Sequence, residues 1–165
     1  ICRLAGKKLK PKRNQCKYFI NNYSHSIAEL NELNASDCIE FVEKTIDASS
    51  GDESKIYEAK AGVELLKNFS KFDIFGIIVY INSKIEGYNI GEYLNDSTAV
   101  MHIRKSNLNF KGINAFLKSA TAARLKQEIK FINEEQDLGI EALRTAKSQY
   151  HPFKLEPKYI VSLNK

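Results

Sequence analysis

The sequence predicts a mixed α/β domain, and three features predict it. A β-branched and aromatic run from Phe75 to Ile81 meets a second run across the polar pair Asn82-Ser83, which marks a hairpin at the centre of the chain. Segments before and after it repeat apolar residues every three or four positions, the period of a helix. Beyond residue 112, helical and short apolar runs alternate as helix, strand, helix, strand, the order of elements packed in layers. With 165 residues, 43% hydrophobic and 27% charged, there is apolar material for one core, and one domain over 1–165 is expected.

The elements follow in chain order. Pro11 suits the first turn of a helix, and Cys16, Phe19, Ile20 and Tyr23 recur at helical spacing, giving a basic amphipathic helix over 11–23. Residues 26–33 read as a short strand, and Asn34 or Ser36 caps a helix through Ile39, Val42 and Ile46. A loop over 49–52 precedes a long helix marked by Ile56, Ala59, Val63, Leu66 and Phe69. The returning strand, 84–94, carries Gly87 and Gly91, which predict a bulge or the close approach of another backbone. A third strand over 98–105 sets Met101 and Ile103 on one face and His102 and Arg104 on the other. Ile113, Phe116, Leu117 and Ala120 make a helix, 129–132 a strand, 139–148 a helix, and 158–163 a final strand behind Pro152 and Pro157.

Charge is unevenly placed. The net charge is +5, but residues 1–24 hold seven basic side chains (Arg3, Lys7, Lys8, Lys10, Lys12, Arg13, Lys17) and no acidic one, leaving 18 basic against 20 acidic elsewhere. The arm over 1–24 suits phosphates, whether of tRNA, of a phospholipid or of a nucleotide cofactor, while a solvated helix face is the plain alternative. Cys2, Cys16 and Cys38 are odd in number and lack a C-x-x-C spacing, and His25, His102 and His151 stand far apart, so neither a disulfide framework nor a metal site is expected. No stretch has the ~20 apolar residues of a transmembrane helix. A reducing cytoplasm is the expected setting, with the membrane surface as a further place of contact, and a chain that begins at Ile1 reads as a piece of something longer.

Three segments together resemble the C-terminal domain family of phosphatidylglycerol lysyltransferases: LAGKKLKPKRNQCKYFINNY from Leu4, FGIIVYINSKIEGYNIGE leading into TAVMHIRKSNLNFKGI, and INEEQDLGIEALRTAKSQYHP from Ile132 to Pro152. The first is similar to a Gly-(Arg/Lys)-Lys element followed by a Lys-Arg-Asn helix. The third is similar to Asn-x-Glu-x-Asp-Leu-Gly, Leu-Arg-x-Ala-Lys and Ser-Tyr-x-Pro elements. The resemblance implies a GNAT-like fold with a mostly antiparallel sheet flanked by helices, an N-terminal GNAT-like half in the same protein, and transfer of an aminoacyl group from aminoacyl-tRNA to a lipid or small acceptor. One departure is visible: Arg104 stands before Lys105 where the family pattern leads one to expect an acid.

Candidate catalytic residues are Glu134, Asp137, Lys147 and Tyr150. A 100° step per residue puts Ile140, Leu143, Lys147 and Tyr150 on one stripe, so Lys147 stands where a leucine is expected and is a candidate to hold a carboxylate, a phosphate or a leaving hydroxyl, snorkelling being the plain alternative. Glu134 or Asp137 is the candidate proton acceptor, Asp137 being equally suited to cap the helix or to pair with Arg144. Tyr150 is a candidate donor to an oxyanion. Candidate substrate-binding residues are Lys12, Arg13 and Asn14 on the arm, His102 and Lys105 on the third central strand, Lys111, Asn133 and Arg144. No covalently bound cofactor is expected. Acetyl-CoA remains a candidate donor, weakened because the stretch 109–114 has one glycine where acetyl-CoA-dependent members of the wider GNAT fold that the resemblance implies usually carry a Gln/Arg-x-x-Gly-x-Gly/Ala turn, although Lys111 beside a helix start suits phosphate. A catalytically silent domain that binds RNA or a partner through the arm is the third reading.

Overall fold

A computed structural model describes residues 3–47, 53–157, 159 and 161–162. The chain divides into two compact units, 1–135 and 136–165. Helix α1 (Lys10–Asn22) opens the first, with Pro11 in its first turn as the sequence predicts. Strand β1 (His25–Glu29) stops short of the expected 26–33, because Asn31 starts the next helix earlier than Asn34 or Ser36 would. The Asn31 Oδ1 accepts from the backbone N–H of Leu33 (2.9 Å) and Asn34 (3.2 Å), while Asn34 Oδ1 accepts from the Asn31 N–H (2.8 Å). This reciprocal pair satisfies three orphan donors and draws Leu33 into helix α2 (Glu32–Asp47). Helix α3 (Glu53–Lys67) follows, and Phe69 falls in a 3-10 turn, Phe69–Lys71, beyond its end. The loop expected over 49–52 lies outside the described residues.

Strands β2 (Ile74–Ile81), β3 (Lys84–Asn95) and β4 (Thr98–Ser106) form the antiparallel centre, and β5 (Phe131–Asn133) joins β4 in parallel after helix α4 (Ile113–Ala122). The sheet order is β1-β2-β3-β4-β5. Asn82 and Ser83 both take positive φ (51° and 62°), as a two-residue hairpin turn demands. Ile78, Tyr88, Ile90 and Ile103 pack under α2 and α3, while Ile77, Val79 and Ile81 pack under α1 and α4 with Phe19, Phe116 and Leu117. A strand covered on both faces loses the apolar-polar alternation, which is why β2 reads as a continuous apolar run.

Alternation fails in a more consequential way on β4. Ile90 pairs with Ile103, but Gly91 pairs with Met101, so His102 is the extra residue of a β-bulge. Met101 and Ile103 therefore do not share a face as expected. The Met101 sulfur meets Asn89 Nδ2 on the α4 side (3.3 Å), whereas Ile103 joins the α2–α3 core. A Cβ on Gly91 would lie 2.3 Å from the Val100 carbonyl oxygen, the close approach its glycine predicts.

The second unit carries helix α5 (Glu141–Ser148), which starts two residues later than Gly139. No residue of α5 is buried. The strand expected over 158–163 lies largely outside the described residues, and Tyr159, Val161 and Ser162 belong to no strand.

Candidate functional site

Strands β4 and β5 pair only over Thr98–Val100 and Phe131–Asn133. Past that point β5 ends while β4 runs on for six residues, and the side chains around the end of β5 form the candidate site. Arg104 leaves β4 there and gives two N–H groups to Glu134, Nη2 to Oε2 at 3.1 Å and Nη1 to Oε1 at 3.4 Å. Lys118 of α4 approaches the same carboxylate, Nζ to Oε2 at 2.9 Å. All three side chains are largely withdrawn from water, at 21%, 17% and 6% exposure for Arg104, Glu134 and Lys118. Burial pushes the Glu134 carboxyl up, but the two cations outweigh it and hold the group below its ordinary value. Glu134 is thus an ionised tie between β4, the end of β5 and α4, two positive charges on one negative.

Asn133 and Glu135 continue the tie. Asn133 Oδ1 accepts the Glu135 backbone N–H (2.8 Å), and Glu135 takes a positive φ of 54°. That turn carries its carboxylate to His102, Nδ1 to Oε1 at 2.9 Å, while Glu92 of β3 stands 3.4 Å from Nε2. The bulge is what aims the imidazole between two acids.

Lys105 points to the other face and pairs with Glu58 of α3 at 2.5 Å. It borders a cleft of about 970 Å³ that Phe41, Tyr80, Lys84, Glu86 and Asn107 also line.

The arm supplies a second, basic surface. Lys7, Lys8, Lys10, Asn14 and Lys17 are exposed. Arg13 faces inward instead, with Nη1 donating to the carbonyls of Leu4 and Gly6 (2.9 Å to the latter), so it clamps the turn before α1. Lys12 is half-buried, and desolvation lowers its pKa while the Cys16 thiol opposes the shift. Lys111, just before α4, lies over the Tyr18 ring at 4.9 Å. Gly112 joins the two helices: it takes φ +91°, and a Cβ there would lie 2.2 Å from the Gln15 carbonyl oxygen of α1. Helix α1 therefore sits directly on the first turn of α4.

In the second unit, Asp137 assumes both of its alternative roles. One oxygen accepts the Gly139 N–H (2.9 Å) and the other the Arg144 Nε–H (2.8 Å), and these bonds lower its pKa. Lys147 Nζ donates to the Gln136 carbonyl (2.6 Å), so the ammonium found on the apolar stripe lies at the surface of an open helix and not in a core. Tyr150 is half-buried at the end of α5. Asp137, Arg144 and Lys147 form one local cluster, and Glu134, Asn133 and His102 another.

Sequence reasoning passed over Arg104 as a site residue, and with it Lys118, Glu92 and Glu135. For Lys118 a signal exists: Ala115, Thr121 and Ala122 lie three or four positions away, small residues that leave room for a long side chain within a buried helix.

Among the described residues no helix is long and apolar enough to cross a membrane, and no group of three His, Cys, Asp or Glu is placed to hold a metal ion. No curated protein matches the chain in sequence. A conserved protein of unknown function from Bacteroides thetaiotaomicron superposes with a TM-score of 0.84 at 29% identity, over 93% of this chain and 53% of its own. The C-terminal domain of a putative lysylphosphatidylglycerol synthetase from Agrobacterium fabrum gives 0.59 at 11% identity, over 90% and 53%. A ribosomal-protein-alanine N-acetyltransferase from Brucella melitensis biovar Abortus 2308 gives 0.58 at 13%, over 86% and 100%. The last two likenesses speak for the fold alone, a GNAT-like one, and the chain spans about half the length of the first two proteins. Residues 2–162 match the family described as phosphatidylglycerol lysyltransferase, C-terminal, and the chain belongs to that family.

Proposed function

We propose that this domain takes part in aminoacyl transfer, moving an aminoacyl group from aminoacyl-tRNA to a hydroxyl-bearing lipid or small acceptor. The observation that carries the reading is the seating of basic helix α1 on the first turn of α4. In a GNAT-like fold that turn is where a coenzyme A pyrophosphate would need free backbone N–H groups. Here the N–H groups of Asn109, Phe110 and Ile113 donate to Asn107 Oδ1, Asn107 O and Phe110 O, and the Gln15 carbonyl oxygen abuts Gly112. A carbonyl lone pair repels phosphate. Apart from Lys111 in the turn itself, the cationic side chains stand outside it, as Lys7, Lys8, Lys10 and Lys17, where a large polyanion can reach them and a pocketed cofactor would not need them.

The Arg104–Glu134–Lys118 tie supports the same choice. It lies beside β4 where β5 ends, and its excess of one positive charge suits the phosphodiester or ester oxygens at the end of a tRNA better than an uncharged pantetheine arm. Coenzyme A-dependent acyl transfer is the second reading, and one experiment separates them. The purified chain, alone and with the rest of its protein, is given radiolabelled lysyl-tRNA or alanyl-tRNA with phosphatidylglycerol vesicles, and in parallel labelled acetyl-CoA. Label entering the lipid fraction from tRNA supports the reading. Saturable uptake from acetyl-CoA with none from tRNA sinks it.

A further inference from the structure

We propose that Tyr18 is a stacking platform for an unpaired RNA base, with Lys111 and the lysines of α1 taking phosphates of the same strand. The proposal rests on the aminoacyl-transfer reading and deepens it, naming a single-stranded part of the tRNA as what the arm holds.

The surface around Tyr18 is built from cations and amides. Lys10, Asn14 and Tyr18 step by four and so form one row along α1, with Lys17 beside it, and all four are exposed. No carboxylate of the arm interrupts the row, because residues 1–24 hold none. Lys111 reaches the same row from the turn before α4, and its Nζ stands 4.9 Å from the centre of the Tyr18 ring. A single strand needs charge for its backbone and a π face for its bases, and this row offers both.

The ring is open and braced at once. Tyr18 is 41% exposed although Lys111 stands over it. Behind it Tyr23 meets the ring at 6.4 Å and 67°, and Tyr23 in turn meets Phe110 at 5.2 Å and the buried Phe19 at 5.4 Å. Phe19 stacks on Phe116 of α4 at 4.6 Å. Tyr18 is thus the outermost ring of an aromatic chain rooted in the core, so little side-chain freedom is left to lose when a base lands on it. Tyr57 on α3 is more exposed, at 68%, yet its helix carries three acids against three lysines and offers phosphate no net attraction.

A duplex and a lipid surface suit this face less well. Paired bases keep their faces inside the stack, so the ring gains nothing from a double strand. A membrane-bound helix presents a stripe of large apolar side chains, whereas the exposed ones of α1 are Tyr18 and Ile20, two positions and about 200° apart around the helix.

The test takes the full chain, a fluorescent single-stranded RNA of about 12 nucleotides, the same strand in a duplex, and phosphatidylglycerol vesicles, each titrated over a range of salt. Single-strand binding is expected to be about tenfold tighter than duplex binding. Tyr18→Ala and Tyr18→Leu are expected to weaken it by about tenfold and Tyr18→Phe to stay within about threefold of wild type, since phenylalanine keeps the π face and leucine only the bulk. Lys111→Gln is expected to flatten the dependence on log salt by about 0.7. Urea unfolding checks that each variant folds, and should Tyr18→Ala fail, Tyr18→Leu against Tyr18→Phe carries the comparison. A folded Tyr18→Leu chain that binds the single strand as tightly as wild type overturns the platform, and so does a preference for duplex or for vesicles. If tRNA binding is then still lost when Lys7, Lys8 and Lys10 are together replaced by alanine, the aminoacyl-transfer reading stands without the platform. A wild-type chain that binds neither the single strand nor lysyl-tRNA removes both.

Discussion

At the scale of the residue, the Glu134 carboxylate faces two cations, Arg104 and Lys118. It neutralises one of two largely buried cations and is hydrogen-bonded to both, so removing its charge leaves Arg104 and Lys118 facing each other. Glu134→Gln should cost about 3 kcal/mol of stability, measured by urea unfolding, whereas Lys118→Met beside an intact Arg104–Glu134 pair should cost clearly less. The sign of the pH effect follows from the lowered pKa. A group depressed in the folded state stabilises above its unfolded pKa, about 4.3 for glutamate, and loses that contribution as pH falls through the folded value. The midpoint of wild-type unfolding should therefore drop below about pH 4.5, and the drop should be smaller in Glu134→Gln. The sequence shows the acid, in the middle position of the family's Asn-x-Glu spacing whose own glutamate is Glu135, but not its partners. Arg104 and Glu134 are thirty positions apart, and only a parallel β4–β5 pairing brings them together.

At the scale of the element, Gly112 decides whether α1 and α4 can touch. Gly112→Ala puts a methyl group against the Gln15 carbonyl and forces a positive φ on a residue with a Cβ, so a loss of more than about 2 kcal/mol is expected. Hydrogen exchange should show the damage in α1 and the first turn of α4 before it reaches α2 and α3. The Asn31–Asn34 cap makes a milder prediction. Each alanine substitution should cost about 1 kcal/mol, and the double mutant should cost less than the sum because the two side chains serve one turn. Elements with a strong period were legible in advance: α1, α3, α4 and the β2–β3 hairpin stand where spacing puts them. The start of α2 was misplaced because Asn31, Asn34 and Ser36 are all competent caps, and tertiary packing of Leu30 and Ala35 selects among them. The faces of β4 were misassigned because a bulge leaves no compositional mark when the extra residue is a histidine among apolar neighbours.

At the scale of the whole molecule, charge and core are separate matters. The arm's lysines touch little of the core, so Lys7→Ala, Lys8→Ala and Lys10→Ala together should leave the unfolding midpoint nearly unchanged. The same triple variant should weaken tRNA binding and flatten its dependence on log salt by about 2 to 3 units. An unchanged slope would place the polyanion elsewhere. The two-faced sheet has another consequence, because each of its helical layers hides a thiol. Cys16 lies on α1 and Cys38 on α2, facing the core that α2 shares with α3, and burial raises the two to about 11 and about 12, so neither reacts while its layer is closed. With Cys2 replaced by serine, the labelling rate of each remaining thiol under native conditions becomes a clock for the opening of its own layer. A ligand that docks on the arm should slow the Cys16 clock and leave the Cys38 clock running at its old rate, so that two sulfur atoms report which side of the sheet a substrate holds shut.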